Sequence, residues 1–299
     1  MSARLVLIVG VLAISTAALF IRLADAPVLV IAASRLVLAS FAMAAAVPFM
    51  LRGRIILFSL SDLILPTLAG VLMALHFVFW IASLELTSVA SSVILVTAHP
   101  LFVALAAPLV TGDRLSPRVL GYAALGTLGA VIIGWGDLSL TPAAFMGDIL
   151  ALIGGLLAGG FLLVGRRARE AMPLSLYLLI AYGTAALLLA AAVVVMRLPV
   201  TGFSGQTYLA LLLLALVPQL IGHSIINGAL RRLSTAAVSV SILGEPVGAT
   251  LLALLFLREA PPATSLLGGG VILLSIYLAL RAEGKDHYPA LPAEGAGGR

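Results

Sequence analysis

Apolar runs of about 20 residues follow one another along almost the whole chain, and this succession limits the fold more than any motif does. A run of that length, wound as a helix, spans a hydrocarbon core about 30 Å thick. The runs fall near 4–21, 28–50, 60–83, 87–110, 117–135, 146–165, 173–196, 207–229, 233–256 and 262–281, which predicts an all-α integral membrane protein of ten transmembrane helices. A soluble fold is excluded by composition: 62% of the 299 residues are apolar, 10% are charged, and mean hydropathy is +1.22. So few polar groups could not wet the surface of a globule this large.

The charges that exist lie mostly between the runs. There are 16 arginines and one lysine, Lys285, giving a pI near 10.1. With the N-terminus inside, the cytoplasmic segments carry Arg4, Arg52, Arg54, Arg114, Arg118, Arg166, Arg167, Arg169, Arg231, Arg232, Arg281, Lys285 and Arg299, while the other side carries Arg22, Arg197 and Arg258. That asymmetry puts both termini in the cytoplasm of a multi-pass membrane protein and argues against a nucleic-acid partner. With no cysteine and four scattered histidines, neither a disulfide framework nor a metal site is expected.

The chain also repeats itself. "SVASSVILVTAHPLFVALAAPLVTGD" (88–113) aligns without a gap with "STAAVSVSILGEPVGATLLALLFLRE" (234–259), placing His99-Pro100 on Glu245-Pro246 and Asp113 on Glu259. Gly10 and Arg22 correspond in spacing to Gly154 and Arg166. A removable leader would not recur mid-chain, so the N-terminal run reads as a span and not as a signal peptide. Each unit holds five spans, an odd number, so the second copy enters the bilayer from the opposite side. The expected units are 1–141 and 142–284, with 285–299 a disordered cytoplasmic tail. Inverted repeats are a common route to alternating access around a site near the bilayer midplane.

These segments, their order and the repeat length resemble the drug/metabolite transporter superfamily in its EamA-type branch, over essentially the whole chain. His76 and Trp80 on the third helix, with His99-Pro100 on the fourth, further resemble the YddG-type exporters of amino acids. The resemblance implies ten helices around a central cavity and export of aromatic and other neutral amino acids or related metabolites.

Read from the residues alone, the intramembrane polar groups are the candidates for binding, because each is costly in lipid and tends to face a bundle interior. His76 and Trp80 share a face of the third helix; Gln219, His223 and Asn227 share one of the eighth. His99, Ser241 and Glu245 lie on the fourth and ninth helices, beside Pro100 and Pro246. A proline donates no backbone hydrogen bond, so Pro100 releases the carbonyl of Val96 and Pro246 that of Ile242, and released carbonyls at membrane depth belong in protein or along a cavity. Each histidine also admits a structural role as a bond between helices, and Trp80 one as core packing. Arg35 sits in the second helix, but its repeat-equivalent is Ala181, so the halves share no role for it. Glycines on the fifth, sixth and tenth helices, including Gly155 and Gly159, suit close helix packing within the fold or in a homodimer.

No glycine cluster precedes a phosphate-binding lysine, so neither ATP nor another cofactor is expected. An enzyme is disfavoured because no serine has a nucleophile context, and a channel because the interior is mostly apolar. The alternative to amino acids is export of lipophilic cationic drugs or toxic metabolites. Phosphorylated sugars would require several buried cations.

Overall fold

The computed structural model describes residues 3–51, 59–99, 101–102, 117–229, 242 and 244–283. Among them all regular structure is helical: α1 (Ala3–Ser15), α2 (Ala17–Leu23), α3 (Val28–Leu51), α4 (Ile64–Leu86), α5 (Val89–Val96), α6 (Pro117–Leu140), α7 (Pro142–Ala171), α8 (Leu174–Val195), α9 (Gly205–Leu214), α10 (Ser224–Ala229), α11 (Gly244–Leu252) and α12 (Ala263–Glu283). Helix closes every backbone hydrogen bond within the segment, which is what an apolar run needs in lipid. Among the described residues, five helices are long and apolar enough to cross a membrane: Val28–Leu51, Leu60–Leu86, Pro142–Arg169, Leu174–Val195 and Gly205–Ile226. Shorter apolar helices cover Ile8–Leu23, Ala124–Ile133, Gly244–Leu257 and Ala263–Leu278.

Hydroxyl side chains set several helix starts. Ser88, Thr141 and Ser204 each accept the N–H three residues on, at 3.0, 3.1 and 3.1 Å, satisfying a donor that the first turn leaves unmet. Pro142 follows its cap directly, where a missing N–H costs nothing. The first span, expected as one run, is interrupted at Thr16, whose hydroxyl donates to the Ala13 carbonyl at 2.7 Å. That local bond competes with the helix ladder. The eighth span also departs from a plain α-helix: Ala215–His223, containing Pro218, widens into a π-helical segment between α9 and α10. Proline removes a ladder bond, and the wider turn absorbs the defect.

The packing pattern repeats between the halves. α4 lies against α7, and α1 against the π segment and α10; α5 contacts α7, and α1 contacts α11. Exchanging α1–α6 for α7–α12 maps each of these contacts onto the other of its pair. The α3–α8, α6–α12 and α5–α11 contacts map onto themselves. The main core joins α3, α4 and α8 through Leu36, Phe77, Ile81, Leu178 and Tyr182; a second joins α5, α6, α7 and α12 through Leu95, Ile133, Ala151 and Ile272. Large apolar side chains such as Phe41, Leu187 and Leu255 point outward, as a surface against hydrocarbon requires.

Candidate functional site

Small residues bring α3, α4 and α8 close enough to bury a cation between them. Ala32, Ala39, Ala69, Ala181 and Ala185 are all fully buried along these helices, and Arg35, at 0% exposure, lies in their midst. Its Nε donates to Gln219 Oε1 at 2.6 Å, a bond between the two halves of the chain. Its Cζ stands 4.0 Å from the Phe77 ring centroid and 5.9 Å from that of Trp80. A desolvated cation on an aromatic face gains about 2 kcal/mol and a charge-assisted hydrogen bond about 1.5–3 kcal/mol. Removing a guanidinium from water costs several kcal/mol, so these contacts offset only part of the cost.

Around Arg35 the expected site residues gather. His76 and Trp80 stack with ring centroids 5.9 Å apart, and Phe77 meets His223 edge-on at 6.4 Å. Gln219 is fully buried, while His223 and Glu245 are half-buried. Tyr182 on α8 and Glu245 on α11 are both within electrostatic range of Arg35. Glu245 makes no direct ion pair with it, although its backbone carbonyl accepts from the Ser15 hydroxyl at 3.4 Å. The polar faces of the third and eighth spans, expected as separate stripes, therefore meet at one cluster contributed by both halves.

Two histidines have defined tasks. The His76 Nδ1–H donates to the Gly154 carbonyl at 2.8 Å, binding α4 to α7 and leaving Nε2 as the acceptor of the neutral ring. The His99 Nδ1–H donates to the Val96 carbonyl at 3.3 Å. That is the carbonyl which Pro100 denies a backbone donor, so the imidazole supplies the partner that the sequence leaves out. A methyl on Gly155 would stand 2.8 Å from the same oxygen, so glycine is what lets α7 pass there. Pro246 is buried. Pro100, Ser241 and the side chain of Asn227 lie outside the described residues.

Sequence reasoning left Arg35, Phe77 and Tyr182 without a role. Arg35 was signalled by its position in an apolar run, but the comparison of repeats pointed to Ala181, and the neighbour Tyr182 is the residue that reaches it. Phe77 resembled any core aromatic in sequence.

Around Arg35 these side chains pack against one another. A cavity of about 280 Å³ lies farther along, lined by Ile21, Arg22, Ala24, Ile31, Ile81, Leu84 and Glu85. Ile31 is one helical turn from Arg35, Ile81 one turn from Phe77, and Leu84 one turn from Trp80, so its floor is about 5 Å along the helix axes from the cluster. At this end Arg22 Nη2 pairs with Glu259 Oε2 at 3.3 Å and donates to the Thr87 carbonyl at 2.9 Å, while Glu259 Oε1 accepts the Val89 N–H at 2.5 Å. These bonds link α2, the start of α5 and the segment that follows α11.

A helical membrane protein with a buried polar cluster between two equivalent halves belongs to the class of small-molecule transporters, and the comparisons specify which. The model of the EamA-like transporter family matches residues 1–135 and again 145–281. This chain belongs to the EamA-like transporter family. The family is one of transporters and not of enzymes. No curated protein matches the sequence. One solved structure, described only as "Crystal structure of protein", shares the fold with a TM-score of 0.65, covering 96% of this chain and 99% of its own at 20% identity.

Proposed function

We propose that the protein is a secondary transporter that exports aromatic and other neutral amino acids, or closely related metabolites, across the inner membrane by alternating access. In this reading ten spans form two inverted units, 1–141 and 142–284, with both termini in the cytoplasm, as the arginine distribution favours. The observation that carries it is that Arg35 and Glu245, one from each half, stand within electrostatic range of each other inside a cluster walled by Phe77, Trp80 and His223. Opposite fixed charges beside aromatic rings suit a zwitterion with a flat side chain. This arrangement also joins the likeness to the YddG-type exporters, which rests on His76, Trp80 and His99.

A lipophilic cation, the alternative substrate, would gain from Glu245 and the rings but would be repelled by Arg35 a short distance away. A phosphate ester would meet one arginine and an opposing carboxylate. The test is counterflow of radiolabelled solutes in proteoliposomes, across a panel of amino acids, organic cations and sugar phosphates, with and without an imposed pH gradient. Saturable counterflow of phenylalanine, tryptophan or leucine supports the reading; flux of organic cations with no amino acid transported overturns it.

A further inference from the structure

Among the described residues, Arg35 Nη1 and Nη2 and Trp80 Nε1 are buried without a hydrogen-bond partner, while Gln219 Nε2 and the Tyr182 hydroxyl, also buried, face each other. Their parent residues are nearly or completely buried, from 0% for Arg35, Tyr182 and Gln219 to 4% for Trp80. The guanidinium and indole N–H groups are donors that cannot accept, and a phenol that accepts from Gln219 still has its own proton to donate. Buried donors of this kind ordinarily find acceptors, because leaving them unmet costs their full desolvation. Gln219 Oε1 is already taken by Arg35 Nε, and the Glu245 carboxylate stands in electrostatic range of Arg35 without pairing with it. His76, whose Nδ1–H donates to Gly154, leaves Nε2 as its acceptor, and none of these donors reaches it.

From this arrangement we infer that Arg35, with Gln219, Trp80 and Tyr182, forms a carboxylate subsite, and that Arg35 is the residue by which the transporter selects carboxylate-bearing substrates. The two Nη atoms match the fork of a carboxylate, whose oxygens accept and never donate. The nearby carboxylate of Glu245 disfavours a dianion such as a phosphate ester, so a singly charged acid is the fit. The 280 Å³ cavity whose floor lies one turn from Arg35 offers an approach. The Phe77 face fixes the guanidinium plane from one side, so the fork meets its partner with little reorganisation. The inference rests on the amino acid reading for its substrate, but the carboxylate is its own claim and is tested by itself.

The experiment compares acids with their isosteric amides: L-phenylalanine with L-phenylalaninamide, and phenylpropionate with phenylpropanamide. Binding is measured by calorimetry on the full-length protein in detergent, for wild type, Arg35→Met and Arg35→Lys. Wild type should bind each acid at least about tenfold more tightly than its amide. Arg35→Met should erase that preference by weakening the acids while leaving the amides within about twofold, and Arg35→Lys, which keeps charge and loses the fork, should fall between. Equal binding of acid and amide by wild type overturns the inference without recourse to any variant, and so does an equal loss for both in Arg35→Met. Should Arg35→Met not survive solubilisation, an unchanged preference in Arg35→Lys overturns the fork. Phenylalanine counterflow separates the two claims. Absent counterflow with an Arg35-dependent acid preference removes the amino acid reading and keeps the subsite; normal counterflow with no preference does the reverse.

Discussion

Arg22 and Glu259 pair at 3.3 Å although they stand at opposite ends of the chain, one closing α2 and the other following α11. The side chains are 30% and 25% exposed, so solvent weakens the attraction without removing it. Glu259 also holds the Val89 N–H, the first residue of α5. Charge and hydrogen bonding can therefore be separated by substitution. A double-mutant cycle of Arg22→Gln and Glu259→Gln in detergent should give a coupling of about 0.5–1 kcal/mol, and Glu259→Ala should destabilise further by losing the acceptor. A coupling indistinguishable from zero would reduce the contact to a geometric coincidence.

Arg22 of the same pair lines the 280 Å³ cavity. Leu84 lines that cavity, so a cysteine placed there should react faster with a small maleimide when Glu259→Gln is added. An unchanged rate would show that the mouth opens elsewhere.

Topology has a separate test, made simple by a sequence without cysteine. Ser83, at the end of the third apolar run, is buried and unsuited to labelling: its hydroxyl donates to the Trp80 carbonyl at 2.6 Å and lies 2.6 Å from Ser92 Oγ. Thr201 and Ser61 are exposed instead. Thr201→Cys should react with impermeant maleimide on whole cells and Ser61→Cys only after permeabilisation. The reverse pattern would turn the protein over in the membrane.

Close packing of α6 on α12 depends on Gly129 and Gly268. A methyl on Gly129 would stand 2.6 Å from the Gly268 carbonyl oxygen, and one on Gly268 2.5 Å from that of Gly129. Gly268→Val should therefore force the helices apart and cost about 1–3 kcal/mol, read as a lowered midpoint in detergent melting. Gly270→Val, at a position with nothing within 4 Å, should change little. Equal effects would indicate that valine in α12 is harmful for a reason other than this crossing.

Periodicity and repeats made much of this legible, for a physical reason: lipid permits little backbone variety, so apolar length translates directly into helix. Gln219, His76, Trp80, His223 and Glu245 were readable as site residues because polar groups are rare in such runs, and the structure brings them around Arg35. What the runs concealed was contact between halves. The alignment set Glu259 over Asp113, and the spacing set Arg22 over Arg166, but neither could show Arg22 meeting Glu259, since equivalence by repeat does not say which residues touch. Pro218 was visible as a helix breaker, whereas the π-helical turn that accommodates it, with Gln219 inside, depends on packing against α1 and α3.

The last prediction concerns Glu245, the carboxylate that shares the cluster with Arg35. Three roles suit a carboxylate at such a position: holding a substrate ammonium, carrying a coupled proton, or supporting the helix around Pro246. Among the described residues its side chain meets no hydrogen-bond or ion-pair partner, and its contact with Ser15 runs through the backbone carbonyl, which substitution of the side chain preserves. A scaffolding role would instead tie the carboxylate to neighbouring donors. The ammonium role is therefore the expected one, and Glu245→Gln keeps the shape while removing the charge. Phenylalanine affinity should fall by about tenfold or more, while phenylpropionate, which has no amine, should bind as well as before or more tightly because the guanidinium loses a competing anion. For a proton carrier, counterflow at equal pH would persist and only accumulation driven by a pH gradient would disappear. If Gln matches wild type with both ligands and under both conditions while Ala fails to fold, Glu245 is a structural group and the zwitterion reading loses its ammonium half.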